Sequence, residues 1–295
     1  MKKSLLGSLF LILASSIWGG MYVVVKLLVA VIPPLELVWL RYLIALVALV
    51  IIGLISKQKW RIKKNHLLII LLIAVIGYVI SIVAQETGTM LSTAQMGAII
   101  TATTPAFMVV FASLILKERL TVKKAISVLL ATVGVITIVG IDRIEFSSMI
   151  GGLTLVLAAL TWALMSVLIK LLPSHYSQIV VTTYATLIAV VVLTPVVLPT
   201  LHELDFHIFK DPVILGGLLY LGVISTSIAF LLWNRGLHLL NASSGGVFFF
   251  FQPVVGALLG WFILGETISF TFWIGCLFIL VGVMLVLKDK DHEKG

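Results

Sequence analysis

The chain has 295 residues, 61% of them hydrophobic and 11% charged, and a mean hydropathy of +1.23. A water-soluble domain could not cover that much apolar surface, so the composition excludes one and predicts a polytopic membrane protein. The formal charge of +8 would suggest nucleic acid in a soluble chain, but the basic residues fall in short segments between apolar runs and read as topology signals.

Ten apolar runs approach the roughly 20 residues needed to cross a hydrocarbon core. They are placed at 5–28, 35–55, 67–85, 93–116, 122–141, 151–172, 179–198, 213–233, 243–264 and 270–287. The N-terminus has the basic start and apolar stretch of a signal peptide. Its run continues past Trp18 to Leu28 and is copied later in the chain, so it is read as the first span. In this span Ser15, Trp18, Tyr22 and Lys26 recur at steps of three and four and share one helical face. That stripe reads either as the lining of an internal cavity or as packing with interfacial anchoring. The mid-span position of Trp18 favours lining.

Span two carries Arg41 about two turns inside, and span three offers Tyr78, Ser81 and Gln85 on one face with Glu86 at its outer end. Glu86 is expected to pair with Arg41 or Lys26; the sharper alternative is that it takes up and releases a proton during transport. Span four places Thr101 and Thr104 beside Pro105. These hydroxyls either satisfy backbone carbonyls or contact substrate. Proline removes the hydrogen bond to the carbonyl four residues back, so Pro105 predicts a broken helix with a free acceptor at Thr101.

The second half repeats the first. Trp162, Ser166 and Lys170 copy the stripe of span one, with Trp18 over Trp162 and Lys26 over Lys170, 144 positions apart. Pro253 follows Pro105 by 148 positions and frees the carbonyl of Phe249, in an aromatic run that ends at Gln252. Glu118 and Glu266 close the two proline-broken spans and are expected to act structurally at turns. A repeat of five spans must be inverted, and paired broken helices are how many secondary transporters build a midplane site. The domains are therefore 1–142 and 143–288, with a tail at 289–295.

Loop charges give the orientation. Lys57, Lys59, Arg61, Lys63 and Lys64 follow span two, and Lys117, Arg119, Lys123 and Lys124 follow span four, on the side of Lys2 and Lys3. Gly265 to Phe272, the copy of the second loop, has no Lys or Arg, and only Arg143, Lys210 and Lys26 remain near the other face. Both termini are thus expected in the cytoplasm. The loop PTLHELDFHIFKDP holds His202 and His207 five residues apart, the wrong spacing for paired ligands on a helix face, and is read as solvated. Single Cys276 gives neither a disulfide framework nor a thiolate metal site, and no GxxxxGK[ST] loop occurs. All six histidines are expected in loops or tails and no paired carboxylates lie mid-span, which argues against an intramembrane enzyme.

The doubled pattern of small residues, mid-span proline and leucine-x-glutamate (LKE at 116–118, LGE at 264–266) resembles the EamA family of the drug/metabolite transporter superfamily. So do Trp18 with Gly19, LRY at 40–42 behind Pro33 and Pro34, LLWNRGL at 231–237, and Gly134 with Gly282. The resemblance implies an all-α, ten-span, inverted-repeat carrier with cytoplasmic termini, usually an exporter of amino acids, related metabolites or toxic compounds. The reading is a secondary-active exporter in a prokaryotic cell membrane, monomeric or homodimeric, without cofactor, metal or nucleic acid. Its halves rock around Pro105 and Pro253, and substrate meets Trp18, Tyr22, Tyr78, Ser81, Gln85, Thr101, Thr104, Trp162, Ser166, Phe249 and Gln252. Lys26, Arg41 and Glu86 are the candidates for charge pairing or coupling. A lipid or lipid-linked-sugar flippase is the alternative, since it would use the same inverted spans.

Overall fold

The computed structural model describes residues 2–92, 97, 100–139, 149–264 and 270–289; Glu266 and Arg143 lie outside this set. Among the described residues the chain is helical, without strands. The helices are α1 (Lys2–Leu28), α2 (Pro34–Ile55), α3 (Lys64–Leu91), α4 (Thr104–Leu116), α5 (Val122–Val139), α6 (Met149–Leu171), α7 (Gln178–Val197), α8 (Pro212–Leu239), α9 (242–264) and α10 (Phe270–Asp289). Six of them, α1, α2, α3, α6, α7 and α8, are each long and apolar enough to cross a membrane, whereas the apolar helix α4 is shorter. Exposed positions along them are dominated by leucine, valine and isoleucine, such as Leu54, Leu114 and Val191, while arginine, glutamate and asparagine are buried at the centre. That inversion of the water-soluble pattern is what a hydrocarbon solvent selects.

The packing follows a regular scheme. α1 lies against α8 and α9, and α6 lies against α3 and α4. α2 contacts α8 and α7 contacts α3, while α2 also packs on α7 and α5 on α10. Small residues permit the closest approaches: a Cβ on Gly19 would come within 2.7 Å of the Gln252 carbonyl oxygen, and one on Gly134 within 2.6 Å of the Gly275 carbonyl oxygen. Backbone contact of this kind is a main source of helix association where no hydrophobic effect operates.

α3 and α8 differ from the simple apolar spans expected for them. Each is 28 residues long and extends beyond the span predicted for it, mainly at its C-terminal end, to Leu91 and Leu239. This places His66 in the first turn of α3 and His238 in the last turn of α8, so the expectation that all the histidines sit in loops or tails is corrected. Helix ends are set by backbone hydrogen bonding and persist beyond the apolar stretch that identifies a span. Each also contains a π-helical segment, Ile73–Ser81 in α3 and Tyr220–Ile228 in α8. The wider turn leaves carbonyls with altered partners. In α8 the hydroxyls of Thr226 and Ser227 donate to the carbonyls of Leu221 and Gly222, five residues back, at 2.7 and 2.9 Å. In α3 the Tyr42 hydroxyl donates to the Tyr78 carbonyl at 2.7 Å.

The proline breaks take a form that the sequence alone did not give. Pro105 is not inside a kinked helix: the chain turns at 102–103 and α4 starts at Thr104, so the proline occupies the first turn, where no N–H is needed. In α9 a short helix, Ala242–Gly246, passes through a 3₁₀ turn at Val247–Phe250 into Phe251–Leu264, with Pro253 again in the first turn of the second part. The Phe251 N–H reaches the carbonyls of Phe248 and Phe249, so tightening of the turn serves the acceptor that Pro253 leaves.

Candidate functional site

At the centre, the two copied tryptophans meet. The rings of Trp18 on α1 and Trp162 on α6 stand edge to face with centroids 5.3 Å apart. Phe230 and Trp233 of α8 and Phe249 of α9 close around Trp18 at 5.3 to 5.9 Å. The expected chamber is therefore almost filled by aromatic rings. What remains is a cavity of about 10 Å³ lined by Trp18, Met21, Ile82, Gln85, Trp162, Phe230, Phe249 and Gln252, room for about one water molecule.

Two of its polar groups have no protein partner: the indole N–H of Trp162, a donor, and Oε1 of Gln252, an acceptor. Both residues are buried, at 6% and 3% exposure. A buried unpaired polar atom costs free energy comparable to a lost hydrogen bond, and more in a medium that cannot supply partners. The arrangement thus holds an unsatisfied donor and an unsatisfied acceptor against an aromatic wall.

Beside this cavity lies a charged cluster. Arg41 and Glu86 form an ion pair and are both fully buried. Arg41 Nε donates to Thr226 Oγ1 at 3.0 Å, and Nη2 lies 3.4 Å from Ser225 Oγ and 3.8 Å from Met21 Sδ. Arg41 thereby joins α2 to the π segment of α8. The second carboxylate oxygen of Glu86, Oε2, is buried without a partner. Lys26 takes no part in this pair. Its ammonium donates to the carbonyls of Thr89, Met90 and Ser92, at 3.0, 3.1 and 2.6 Å, where α3 ends. Lys170 does the same for α8, donating to Leu237 O and Leu240 O at 2.8 and 2.7 Å. A cation at a helix C-terminus satisfies orphan carbonyls and opposes the helix dipole.

The other expected residues are distributed around this core. Gln85, Phe249 and Gln252 line the cavity with the tryptophans, and Gln85 Nε2 points at Met21 Sδ, 3.9 Å away. Tyr22 Oη pairs with Thr101 Oγ1 at 2.7 Å, Tyr78 Oη accepts from Asn234, and Ser81 donates to the Ala158 carbonyl. Ser166 accepts from the Trp233 indole at 3.1 Å, and Thr104 Oγ1 is buried without a partner. Glu118 accepts from the N–H groups of Ala242 and Ser243 and from the Ser243 hydroxyl, so it caps α9 from the end of α4. In the loop before α8, Asp205 and Asp211 accept from the backbone N–H of His207 and Val213 as caps. Among the described residues no group of three His, Cys, Asp or Glu could hold a metal ion.

Thr182, Thr226 and Met21 were not singled out by sequence, and Asn234 stood there only within LLWNRGL, with no role of its own. Asn234 Nδ2 donates to Thr182 Oγ1 at 2.9 Å and to Tyr78 Oη at 3.2 Å. A signal existed: Asn234 follows Glu86, and Thr226 follows Tyr78, by the same 148 positions that separate the prolines.

The EamA-like transporter family matches residues 5–140 and again 149–288, and the chain belongs to that family. It is 28% identical over 99% of its length to the uncharacterized transporter YetK of Bacillus subtilis, covering 90% of that protein. A shorter B. subtilis protein, the putative permease-like YdzE, is 68% identical over 25% of this chain and 96% of its own length. A solved structure described only as that of a protein superposes with a TM-score of 0.79, covering 97% of this chain and 98% of the other at 17% identity, which shows a shared fold. The chain is a multi-pass membrane transporter.

Proposed function

We propose that the chain is a secondary-active carrier that exports small metabolites, amino acids or related compounds, by alternating access through the central site. In this reading ten spans form two inverted five-helix repeats, 1–142 and 143–288, with both termini on the cytoplasmic side of a cell membrane. Support for the repeat comes from the double family match and from the packing scheme, in which α1 to α8 and α9 has its counterpart in α6 to α3 and α4. The orientation rests on the basic loops. Toxic compounds remain within the same substrate class.

One observation carries the reading: residues from both halves converge on a closed site that presents an unpaired donor, Trp162 Nε1, and an unpaired acceptor, Gln252 Oε1. Such a site suits a small solute enclosed between two gates, with α1 to α5 rocking against α6 to α10. The test is metabolomics of medium and cytosol with the protein overproduced or deleted. An exported solute shifts in opposite senses between the two, and Gln252→Leu at equal protein level abolishes the shift. No shift in any water-soluble metabolite, with accelerated lipid scrambling in vesicles, would replace this reading by a flippase.

A further inference from the structure

We infer that the end of the bundle bearing the N-terminus carries a binding site for an anionic phospholipid, built between α2, α7 and α8 away from the central site. Two concavities meet there, of about 990 and 660 Å³, sharing Gln58, His175, Tyr176 and Ser177. The first is walled by the segment joining α2 to α3. Lys57, Lys59, Arg61 and Lys63 line it, and its lining includes no Asp or Glu. Among the described residues none of these four cations is ion-paired.

The segment is pinned in place. The Trp60 indole lies over Gly53, where a Cβ would come within 2.5 Å of the ring, and the Tyr184 hydroxyl donates to the Trp60 carbonyl at 3.0 Å. Tyr176 Oη accepts from the Lys63 N–H at 3.1 Å and meets His66 Nδ1 at 2.9 Å. A basic segment serving only as a topology signal needs no such framework. Here it holds four cations around one concavity, which concentrates positive potential.

The second concavity gives the ligand its other half. Its lining joins an apolar side, with Ile52, Ile228, Leu231 and Leu232, to a polar one with Arg235, His175, Gln178 and His238. Arg235 stands 5.5 Å from the Phe10 ring centroid. Ile228 in its lining and Leu54 and Ile55 at the end of α2 are exposed apolar side chains. A soluble anion has no use for an apolar groove beside a cationic basin, whereas a phospholipid places its phosphate in one and an acyl chain in the other. The inference rests on the orientation proposed above only in assigning the lipid to the cytoplasmic leaflet.

The test uses the full chain released from bilayers of equal phosphatidylglycerol and phosphatidylcholine into native mass spectrometry. Phosphatidylglycerol should be retained in preference, and Lys57→Gln/Lys59→Gln/Arg61→Gln/Arg235→Gln should lower its retention by at least about tenfold without changing the thermal midpoint in phosphatidylcholine. Lys117→Gln/Arg119→Gln, which removes charge outside the site, should leave retention intact. Equal retention of the two lipids, or equal loss in both variants, overturns the inference. So does thermal stabilisation by inorganic phosphate as large as that by phosphatidylglycerol. None of these readouts depends on transport, so failure here is separable from failure of the carrier reading.

Discussion

α3 and α8 are two versions of one device. Each has a π segment near its middle, a polar residue about two turns beyond it, a lysine from α1 or α6 on its last carbonyls, and a bridge to the opposite π segment. On α3 the polar residue is Glu86, held by Arg41, which reaches Thr226. On α8 it is Asn234, held by Thr182, and it reaches Tyr78. The scaffold is shared but only one copy is charged. A neutral amide and two hydroxyls can be satisfied by geometry alone, whereas a buried carboxylate and guanidinium each require the other's charge. The difference confines buried charge to the α2–α3 cluster and leaves the α7–α8 cluster neutral.

The largest expected effect breaks the charged copy. Glu86→Ala strands Arg41 in the interior and should destabilise the protein by about 3–5 kcal/mol, read from thermal unfolding in detergent micelles, with partial recovery in Glu86→Ala/Arg41→Leu. The functional counterpart is Glu86→Gln, which keeps the shape. If Glu86 couples transport to protons, the variant loses the pH dependence of flux in proteoliposomes at unchanged protein level, and an unaltered pH profile removes Glu86 from any coupling role.

Asn234→Ala probes the neutral copy and should cost less, about 1–3 kcal/mol, because it leaves only the Thr182 and Tyr78 hydroxyls to rearrange. A cost equal to that of Glu86→Ala would erase the distinction between the two clusters. Thr226→Val belongs to the same range: it removes one hydrogen bond to Arg41 and the bond to Leu221 O, for about 1–3 kcal/mol, and its effect should vanish in an Arg41→Leu background apart from the Leu221 bond. The smallest changes belong to Lys26→Met and Lys170→Met, each about 0.3–1 kcal/mol for a cation at a helix C-terminus. Near-equal values would support treating the two helix ends as equivalent, and a large inequality would mark one as the tighter closure.

Much of this arrangement is legible in the sequence. Composition required a lipid environment, the stripe of Trp18, Tyr22 and Lys26 marked one helical face that favoured cavity lining over packing with interfacial anchoring, and Arg41 and Glu86 required partners because lipid supplies none. The same logic named Lys26 as a possible partner for Glu86, and there it met a competitor: the unpaired carbonyls ending α3 are also acceptors and lie within reach of the ammonium. Sequence spacing cannot rank two such acceptors, since their distances are set by how helices far apart in the chain pack. The π segments left no readable mark, because a wider turn is chosen by neighbouring helices and not by local propensity.

The sequence by itself determined the solvent, the approximate spans, the places where proline forbids a continuous helix, and the recurrence of Trp18, Lys26 and Pro105 as Trp162, Lys170 and Pro253. These follow from transfer free energy and backbone chemistry, which act locally. Only the tertiary structure decided that Trp18 and Trp162 touch, that about 10 Å³ remains between them, that Arg41 takes Glu86, and that Asn234 stands as its neutral counterpart. Those outcomes depend on residues far apart in the chain, such as the Trp18 indole, which donates to the backbone carbonyl of Ser225 207 positions away, and such contacts are set by the packing of whole helices.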